Sequence, residues 1–341
     1  MIVTETPLRV SFAGGGSDMR SYYRRFGGAV LSTAIDKYVY VTVNKKFDNH
    51  IRVSYSRTEE VEHVHELQHP LVRAALLELS IDGGVEITSV ADIPSRGTGL
   101  GSSSSFTAGL LLALHAHKST YISPGDLAEQ SCRIEIDLCG EPIGKQDQYA
   151  AAFGGLNFIR FEPDDSVSVE PILCSSENLL RLESSLVTFY TGQTRAASLI
   201  LAEQTTLTEK SEATQALLHR MVKLAWQLRL ELNSGNIDAL GEVMEEGWRL
   251  KREIHSGVSN GEIDDLYAKA KRAGAVGGKL LGAGGGGFMT FFAPPELHDR
   301  IGKALGLRRM DFALARSGSR VLLYHKQVMR SNAKATAAVT V

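Results

Sequence analysis

The sequence predicts an α+β protein with two domains, and three observations support this fold class. The chain has 341 residues, which is enough for two ordinary domains with separate hydrophobic cores. Runs rich in β-branched and aromatic residues occur together with long amphipathic stretches of helical period. A turn at Glu162–Asp165 is followed by a less regular stretch. We therefore expect domains at residues 1–175 and 176–326, and a flexible tail at 327–341.

The first half of the chain contains strand-like runs separated by glycine clusters. Ser102 and Ser123 stand at the starts of two helical stretches and are suited to capping helices there. Strands are expected at residues 2–12, Ala29–Asn44, Val85–Val90 and Gly154–Phe161, and helices at Ser102–His117 and Pro124–Cys139.

The second half is richer in long helical patterns. Gly274 follows one of them and is suited to a C-cap. Helices are expected at Ala196–Asn233, Ile237–Ile254, Glu262–Ala273 and Pro295–Leu305, and strands at Leu186–Tyr190, Phe288–Phe292 and Arg320–His325.

The composition is that of a globular protein without a strong charge bias. Hydrophobic residues make up 43% and charged residues 22% of the chain, and the formal net charge is −2. So small a net charge gives no global positive field, and neither nucleic acid nor a membrane is an expected partner, although local basic clusters could hold an anionic small molecule. No apolar run approaches the roughly 20 residues that span a bilayer.

The three cysteines, Cys132, Cys139 and Cys174, form no CxxC pair and are odd in number. This pattern argues against a disulfide scaffold and favours a reducing compartment. The N-terminus also lacks the basic region and apolar stretch of a signal peptide. We therefore expect a cytoplasmic location.

The strongest functional signal is the segment Pro94–Ser105, which reads PSRGTGLGSSSS. Three alternating glycines allow the backbone to approach a ligand closely, and the following helix directs its unpaired N–H groups and positive dipole end at the loop. These features predict a polyphosphate site, with one serine hydroxyl available for Mg²⁺. A serine-capped turn is the alternative, which four consecutive serines disfavour. The predicted nucleotide-binding residues are Pro94, Gly97, Gly99, Leu100, Gly101, Ser102, Ser103, Ser104 and Ser105.

Two familiar phosphate loops do not fit this segment. The Walker pattern requires Gly-Lys-Ser/Thr, but Gly278-Lys279 is followed by Leu280. A dinucleotide fingerprint has GxGxxG spacing early in a parallel unit, whereas the spacing here is GxGxG in mid-domain. The loop therefore favours an ATP-dependent small-molecule kinase over an NAD enzyme.

A zinc-protease motif is also present by pattern alone. His65–His69 reads HELQH, which matches HExxH. That motif binds zinc only on a continuous helix, and Pro70 disfavours helical geometry at His69. A polar surface segment is the better interpretation.

Three further segments carry residues suited to phosphoryl transfer. Arg9 lies in an apolar run and is either a surface-facing strand arginine or a buried one that needs an anionic partner. Asp147 is either a helix cap or a carboxylate that accepts a hydroxyl proton. Glu135 is either a solvated helix residue or a ligand for Mg²⁺. The third segment, Gly282–Gly287, has five glycines in six residues, which indicates close backbone packing or a ligand.

These segments, in this order, resemble the signature of the GHMP kinases over about residues 2–325. The central motif is matched by Pro94–Ser104. The runs LRVSFAGGGSD at 8–18 and GKQDQYAAAFGG at 144–155 resemble the branch of D-glycero-D-manno-heptose 7-phosphate kinases, which shares features with fucokinases. The resemblance implies an N-terminal domain like domain 2 of ribosomal protein S5 and a ferredoxin-like C-terminal domain.

The resemblance also implies roles for individual residues. ATP would lie against the loop, with Mg²⁺ held by a loop serine, Ser103 among the candidates, and by Glu135. Asp147 would be the catalytic aspartate beside the acceptor hydroxyl, with Arg9 close to it and to the transferring phosphate. The implied acceptor-binding residues are Asp18, Gly15, Gly16, Ser17, Arg20, Arg24, Gly284, Gly285 and Gly286.

The implied reaction transfers the γ-phosphoryl group of ATP to the anomeric hydroxyl of heptose 7-phosphate. The candidates for the 7-phosphate, each of which could equally be an exposed surface group, are Arg20, Arg24, Arg25, Lys37, Gln193, Thr194 and Arg195. Two other hypotheses stay open: a kinase for an unphosphorylated sugar such as fucose or galactose, and a non-catalytic sugar or nucleotide sensor. The sequence leaves the choice between monomer and homodimer open.

Overall fold

The computed structural model describes residues 1–93, 97–193 and 197–325. Pro94 of the predicted nucleotide-binding residues, Thr194 and Arg195 of the candidates for the 7-phosphate, and the predicted tail at 327–341 lie outside these ranges. None of the helices in the described ranges is both long enough and apolar enough to pass through a bilayer.

Both halves of the described chain contain strands. The strands are β1 (Ile2–Ala13), β2 (Gly28–Lys45), β3 (Ile51–Ser54), β4 (Thr58–Val61), β5 (Val85–Ala91), β6 (Leu156–Phe161), β7 (Val167–Pro171), β8 (Leu186–Tyr190), β9 (Gly277–Leu280), β10 (Phe288–Phe292), β11 (Arg308–Met310) and β12 (Arg320–Tyr324).

The α-helices are α1 (Arg20–Phe26), α2 (Pro70–Glu78), α3 (Ser102–His117), α4 (Pro124–Cys132), α5 (Gln146–Phe153), α6 (Ser176–Ser184), α7 (Ala197–Lys210), α8 (Glu212–Asn233), α9 (Ala239–Ile254), α10 (Gly261–Ala273) and α11 (His298–Leu305). A π-helical stretch, Arg133–Leu138, continues α4, and short 3₁₀ turns lie at Val64–Glu66, Ser256–Val258 and Pro295–Leu297.

The larger sheet is built around the long strand β2. Its strand order is β12-β1-β2-β5-β3-β4, and β6 pairs with the first part of β2 and with β7. All pairs are antiparallel except β3 with β5. The side chains of Leu8 and Val10 on β1 and of Val41 on β2 are fully buried, and α3 packs against both strands. This packing holds the start of α3 beside the middle of β1, where Ser105 bonds Pro7 and the N–H of Arg9 bonds Leu100.

The smaller sheet has the order β11-β8-β10-β9 and carries a second core. Phe189, Phe291 and Trp248 are buried there, together with apolar residues of α10 and α11. Helix α9 contacts both β9 of this sheet and β1 of the larger sheet. It therefore joins the two halves of the chain.

Most predicted elements are present, with three differences. The predicted helix Ala196–Asn233 is divided into α7 and α8, because the Ser211 side chain accepts a hydrogen bond from the N–H of Thr214 and caps a new helix. The predicted helix Pro124–Cys139 changes to a π-helix after Cys132. The predicted strand Arg320–His325 forms as β12, but it lies in the larger sheet, beside β1. The domain limits at 175 and 326 stay predictions.

Candidate active site

The loop Gly97–Gly101 leads into α3, and its backbone conformation favours glycine. Gly97, Gly99 and Gly101 have φ angles of 68°, 77° and 77°, which side-chain-bearing residues rarely adopt. Gly101 is the N-cap of α3, and no side chain caps this helix end. The first N–H groups of α3 are therefore available to an anion, as the sequence predicted.

The second glycine-rich segment packs directly on this loop. A Cβ atom on Gly99 would lie 2.3 Å from the carbonyl oxygen of Leu281, and one on Gly287 would lie 2.5 Å from that of Thr98. The neighbouring glycines also contact backbone: a Cβ on Gly284 would meet Val258, one on Gly286 would meet Gln193, and the N–H of Gly285 donates to the carbonyl oxygen of Val258. Close backbone packing therefore explains much of this glycine content, and an acceptor role for Gly284, Gly285 and Gly286 stays a prediction.

The four serines at the start of α3 do different things. The exposed Ser103 donates from Oγ to Glu135 Oε1 at 2.8 Å, and Ser104 also hydrogen-bonds Glu135. Ser105 Oγ instead donates to the carbonyl oxygen of Pro7 at 2.8 Å and is buried against β1. Ser102 Oγ lies 3.4 Å from Thr98 Oγ1. Ser103 and Ser104 thus face the carboxylate, whereas Ser105 ties the helix to the sheet.

Glu135 is a fully buried carboxylate rather than a solvated helix residue. It lies in the π-helical stretch after α4, and Gln148 Nε2 donates to its Oε2 at 2.6 Å. In the described part of the chain its polar contacts are hydroxyls and an amide, with no cationic side chain paired to it. Burial raises its pKa to about 7. A hard cation among these oxygens would restore the charged carboxylate.

Arg9 and Asp147 form a buried ion pair with two hydrogen bonds. Arg9 Nε and Nη2 donate to Asp147 Oδ1 and Oδ2, each at 2.7 Å, and Arg9 Nη1 donates to the carbonyl oxygen of Gly99 at 2.5 Å. The side chain of Arg9 is 5% exposed and that of Asp147 is 23% exposed. The interpretation of Arg9 as a surface arginine is therefore wrong, because its side chain is buried. The interpretation of Asp147 as a helix cap is also wrong, because Lys145 is the N-cap of α5. The carboxylate remains accessible beside the phosphate loop.

Asp18 is buried at the end of the glycine turn that follows β1. Its Oδ1 accepts from the N–H of Gly16 at 2.9 Å, and its Oδ2 accepts from the N–H of Gln146 at 3.2 Å. Burial, with the nearby Asp147 as a smaller cause, raises its pKa. The two acidic positions therefore lie in one site, as the family resemblance implied.

Unpaired polar atoms surround the same turn. A Cβ on Gly15 would be 3.8 Å from Gln146 Nε2 and 3.9 Å from Ser11 Oγ. Ser11 Oγ and Gln146 Oε1 are buried, and neither has a hydrogen-bond partner in the described structure. Buried polar groups are normally satisfied, so these atoms indicate the position of a polar ligand.

Comparison with known proteins agrees with this geometry. Residues 67–155 match the family described as GHMP kinases N terminal domain, and residues 226–309 match GHMP kinases C terminal. The chain is 30% identical to the D-glycero-alpha-D-manno-heptose 7-phosphate kinase of Campylobacter jejuni over 332 residues, which cover 93% of this chain and 97% of that protein. The chain belongs to the GHMP kinase family. Its two-domain fold is the fold of that family.

Two further relatives show how similar the chain is to other GHMP kinases. The solved structure of a D-glycero-D-manno-heptose 1-phosphate kinase from Bacteroides thetaiotaomicron has a TM-score of 0.78 and 25% identity, covering 96% of this chain and all of that one. The galactokinase of Pyrococcus furiosus is 26% identical, with 89% of this chain and 92% of that protein covered. The names of the two heptose kinases differ in the position of the phosphate.

The two arginines predicted to bind a sugar phosphate in this GHMP kinase are already paired. Arg24 Nη2 lies 2.7 Å from Asp165 Oδ2, and Arg20 forms an ion pair with Asp137. All four side chains are at least one third exposed. Both arginines thus form surface ion pairs and do not contact the Arg9–Asp147 pair. Their predicted role in binding a sugar phosphate is untested.

Ser17 has a structural contact rather than a free hydroxyl. Its Oγ donates to the carbonyl oxygen of Gly14 at 2.8 Å, and its side chain is fully buried. It therefore holds the turn that carries Gly15, Gly16 and Asp18.

A cavity of about 560 Å³ adjoins Ser102 and Ser103 on the nucleotide side. The rings of Tyr55, His69 and Phe106 line it and contact one another, with centroid distances of 4.7 and 5.3 Å. A cavity of this size with aromatic walls suits a nucleobase. The HExxH segment forms one wall without a continuous helix, because Val64–Glu66 is a 3₁₀ turn and His69 is the N-cap of α2. The predicted lack of a continuous helix through this segment is therefore confirmed.

Two buried lysines near the site were missed by sequence reasoning. Lys251 on α9 and Lys279 on β9 are 8% and 6% exposed. They lie more than 230 residues from the first motif, in stretches that read as an amphipathic helix and a glycine-rich strand. Lys251 belongs to no recognisable sequence motif, so no sequence signal could have identified it. Lys279 adjoins the second glycine-rich segment, and this position was the available signal.

Proposed function

We propose that this protein is a sugar kinase that transfers the γ-phosphoryl group of ATP to the anomeric hydroxyl of D-glycero-D-manno-heptose 7-phosphate. The observation that carries the proposal is the placement of Asp147. Its carboxylate is held by Arg9 next to Gly101, at the end of the phosphate loop, and lies in the same site as Asp18. The similarity to the heptose 7-phosphate kinase of Campylobacter jejuni supports this acceptor.

The nucleotide side is formed by the loop, the start of α3 and the aromatic cavity. Backbone N–H groups at Gly101–Ser104 would hold the phosphates, and the Tyr55–His69–Phe106 cavity would hold the base. Ser103 and Glu135 fit a Mg²⁺ ion, because a hydroxyl and a buried carboxylate without a cationic partner are the hard oxygen donors that this ion prefers. The ion, when bound, would neutralise charge on the phosphate oxygens.

The acceptor side is formed by Asp18 and the unpaired polar atoms near Gly15. The Asp18 carboxylate, Ser11 Oγ and Gln146 Oε1 can accept hydrogen bonds from several sugar hydroxyls. The Ser11 hydroxyl can also donate one. A polyhydroxylated acceptor uses all of these groups, whereas an apolar acceptor leaves them unsatisfied.

In the proposed reaction the acceptor oxygen attacks the γ-phosphorus atom. The new P–O bond forms as the bond to the β–γ bridging oxygen breaks, and ADP leaves. Asp147 accepts the proton of the attacking hydroxyl, which is relatively acidic at an anomeric carbon. Arg9 holds this carboxylate through two hydrogen bonds and places positive charge beside the transferring group.

The proposal is tested by measuring ADP release with heptose 7-phosphate, the free heptose, fucose and galactose, and by ³¹P NMR of the product. We expect turnover of heptose 7-phosphate and a second phosphorus signal from an anomeric phosphate. Turnover of free sugars alone would instead support the unphosphorylated-sugar kinase. An absence of turnover with all four sugars would support the sensor hypothesis.

We also propose the cytoplasmic location predicted from the sequence. The three cysteines are free thiols in the structure, which is compatible with a reducing compartment. A monomer and a homodimer both stay open, and size-exclusion chromatography with light scattering would distinguish them.

A further inference from the structure

Two ammonium groups are buried where the two halves of the chain meet. Lys251 Nζ donates to the carbonyl oxygen of Gly282, and Lys279 Nζ lies 3.4 Å from the carbonyl oxygen of Phe12. Both side chains are more than nine-tenths buried. Within the described part of the chain, neither forms an ion pair with a carboxylate.

Unpaired buried cations require an explanation because burial of a charge without a counterion is strongly unfavourable. Here a third cation makes burial of the two charges less favourable. Arg9 repels both lysines, and the two lysines also repel each other. Asp147 is already bound to Arg9, so Asp18 is the carboxylate left to balance two lysines. The cluster therefore carries one excess positive charge when both lysines are protonated.

The contacts of the lysines place them on the acceptor side of the cleft. The carboxylate that acts on Lys251 is Asp18, and the backbone contact of Lys279 is to Phe12, just before the glycine turn that contains Gly15. Neither lysine contacts Glu135 or the serines of α3, which face the nucleotide. Of the arginines on α1, Arg20 and Arg24 form ion pairs with Asp137 and Asp165, and Arg25 lies over the ring of Phe26.

We propose that Lys251 and Lys279 bind the phosphate group that the acceptor carries before the reaction, and so select a phosphorylated sugar. This inference rests on the proposed function and adds the residues that distinguish a sugar phosphate from a free sugar. A phosphate that carries −1.5 to −2 charges, by the usual magnitude, removes the excess positive charge of the cluster. Two lysines act as point charges toward its oxygens.

The test is steady-state kinetics of Lys251→Gln and Lys279→Gln with two acceptors, heptose 7-phosphate and the free heptose. The matched control is Lys269→Gln, which removes the same charge from an exposed position of α10. We expect each buried substitution to lower kcat/KM for heptose 7-phosphate by about 30-fold and to change kcat/KM for the free heptose by less than threefold. The control should leave the ratio of the two values unchanged.

The ratio between acceptors is measured within one preparation, so partial unfolding of a variant cannot produce the expected result. Titration calorimetry with heptose 7-phosphate, without ATP, gives a second readout, and its Kd should rise by a similar factor. Equal losses with both acceptors would overturn the proposal and indicate that the lysines act on the γ-phosphoryl group or on the Gly282 loop. If the wild-type enzyme did not turn over heptose 7-phosphate, the proposed function itself would be wrong, which is a distinguishable result.

Discussion

The two sides of the cleft contain buried charges of opposite sign, which the described side chains do not fully balance on either side. On the nucleotide side, Glu135 is a buried carboxylate whose described contacts are hydroxyl and amide groups. On the acceptor side, Lys251 and Lys279 are buried ammonium groups whose hydrogen bonds go to backbone carbonyls. Because an unpaired buried charge is unfavourable, each side indicates the charge of its ligand. One side is suited to a divalent cation and the other to a phosphate.

The Arg9–Asp147 pair lies near both proposed sides and is itself electrically balanced. It contacts the phosphate loop through the carbonyl oxygen of Gly99 and lies close enough to Asp18 to raise the pKa of that carboxyl. The residues proposed to perform the chemistry are therefore paired with each other, whereas the residues proposed to bind charged ligands are not. Five measurements can test this difference, and the largest effect is expected at the pair.

Replacement of Asp147 by Asn should have the largest effect. Removal of a general base lowers rates by about 10²- to 10⁴-fold, and we expect a fall in kcat of about 1000-fold. The affinities for ATP and for the acceptor should change little, because neither side uses Asp147 as its ligand. Initial-rate kinetics and titration calorimetry with each substrate measure both effects. A variant with full activity would show that Asp147 is not the base.

Replacement of Glu135 by Gln should separate the nucleotide side from the acceptor side. We expect Mg²⁺-dependent ATP affinity to fall by about 100-fold, because the buried carboxylate is lost, while acceptor affinity is retained. Calorimetry with ATP in the presence and absence of Mg²⁺ provides the measurement. If the substitution weakened ATP binding equally without Mg²⁺, Glu135 would not be a metal ligand.

The same substitution has a predicted effect on stability in the absence of Mg²⁺ and ATP. Burial raises the pKa of Glu135 from 4.5 to about 7, so the folded protein binds this proton more tightly than the unfolded chain. The resulting stabilisation is complete below pH 4.5 and is lost as pH rises to 7, by about 3 kcal/mol. Urea unfolding with EDTA should therefore show a steeper loss in wild-type protein than in Glu135→Gln. Equal pH dependence in both proteins would contradict a buried, ionising Glu135.

The nucleotide side was largely predictable from the sequence, and the acceptor side was not. The phosphate loop is a contiguous segment whose glycines and serines have direct geometric meaning, and its positive φ angles agree with that prediction. The pairing of Ser103 with Glu135 was expected from the family resemblance, because the spacing of the two residues in the sequence does not predict it. Ser105 was predicted to bind the nucleotide with the other serines, but its hydroxyl donates to the carbonyl oxygen of Pro7 instead of facing Glu135.

The acceptor side depends on distant parts of the chain. Asp18 follows β1, Lys251 lies on α9 and Lys279 lies on β9, and only the packing of α9 against both sheets brings these residues together. Sequence spacing contains no information about such packing. It also could not show that Arg20 and Arg24 are paired, since Asp137 and Asp165 are more than 100 residues away.

The acceptor side should have its own pH dependence. Burial, and to a lesser degree Arg9, lowers the pKa of Lys251 to about 8, while Asp18 opposes this shift. Burial, with Lys251 and Arg9 as smaller causes, lowers the pKa of Lys279 on β9 well below its usual range. In the free enzyme Lys251 is protonated below pH 8 and loses its charge above it. We expect kcat/KM for heptose 7-phosphate to fall up to tenfold per pH unit above about 8. The acceptor phosphate does not contribute to this fall, because its second pKa is near 6 and it is already fully ionised.

The control for this pH dependence is the free heptose, which should show no fall in the same range. Lys251→Arg should shift the fall to higher pH, because a guanidinium stays protonated. A fall of equal size with both acceptors would assign the titration to a group used in phosphoryl transfer. It would then count against a separate charge requirement on the acceptor side.

Replacement of Ser103 by Ala should have the smallest effect and tests how the nucleotide side shares its contacts. Ser104 and Gln148 also hydrogen-bond Glu135, so loss of one hydroxyl should raise KM for MgATP by about fivefold or less, the value of one hydrogen bond. Ser105→Ala is the matched comparison in the same helix turn: it should lower the free energy of unfolding by about 1 kcal/mol with little change in this KM, because its hydroxyl bonds Pro7. If Ser105→Ala raised KM more than Ser103→Ala, the ligand-facing serine would be misassigned.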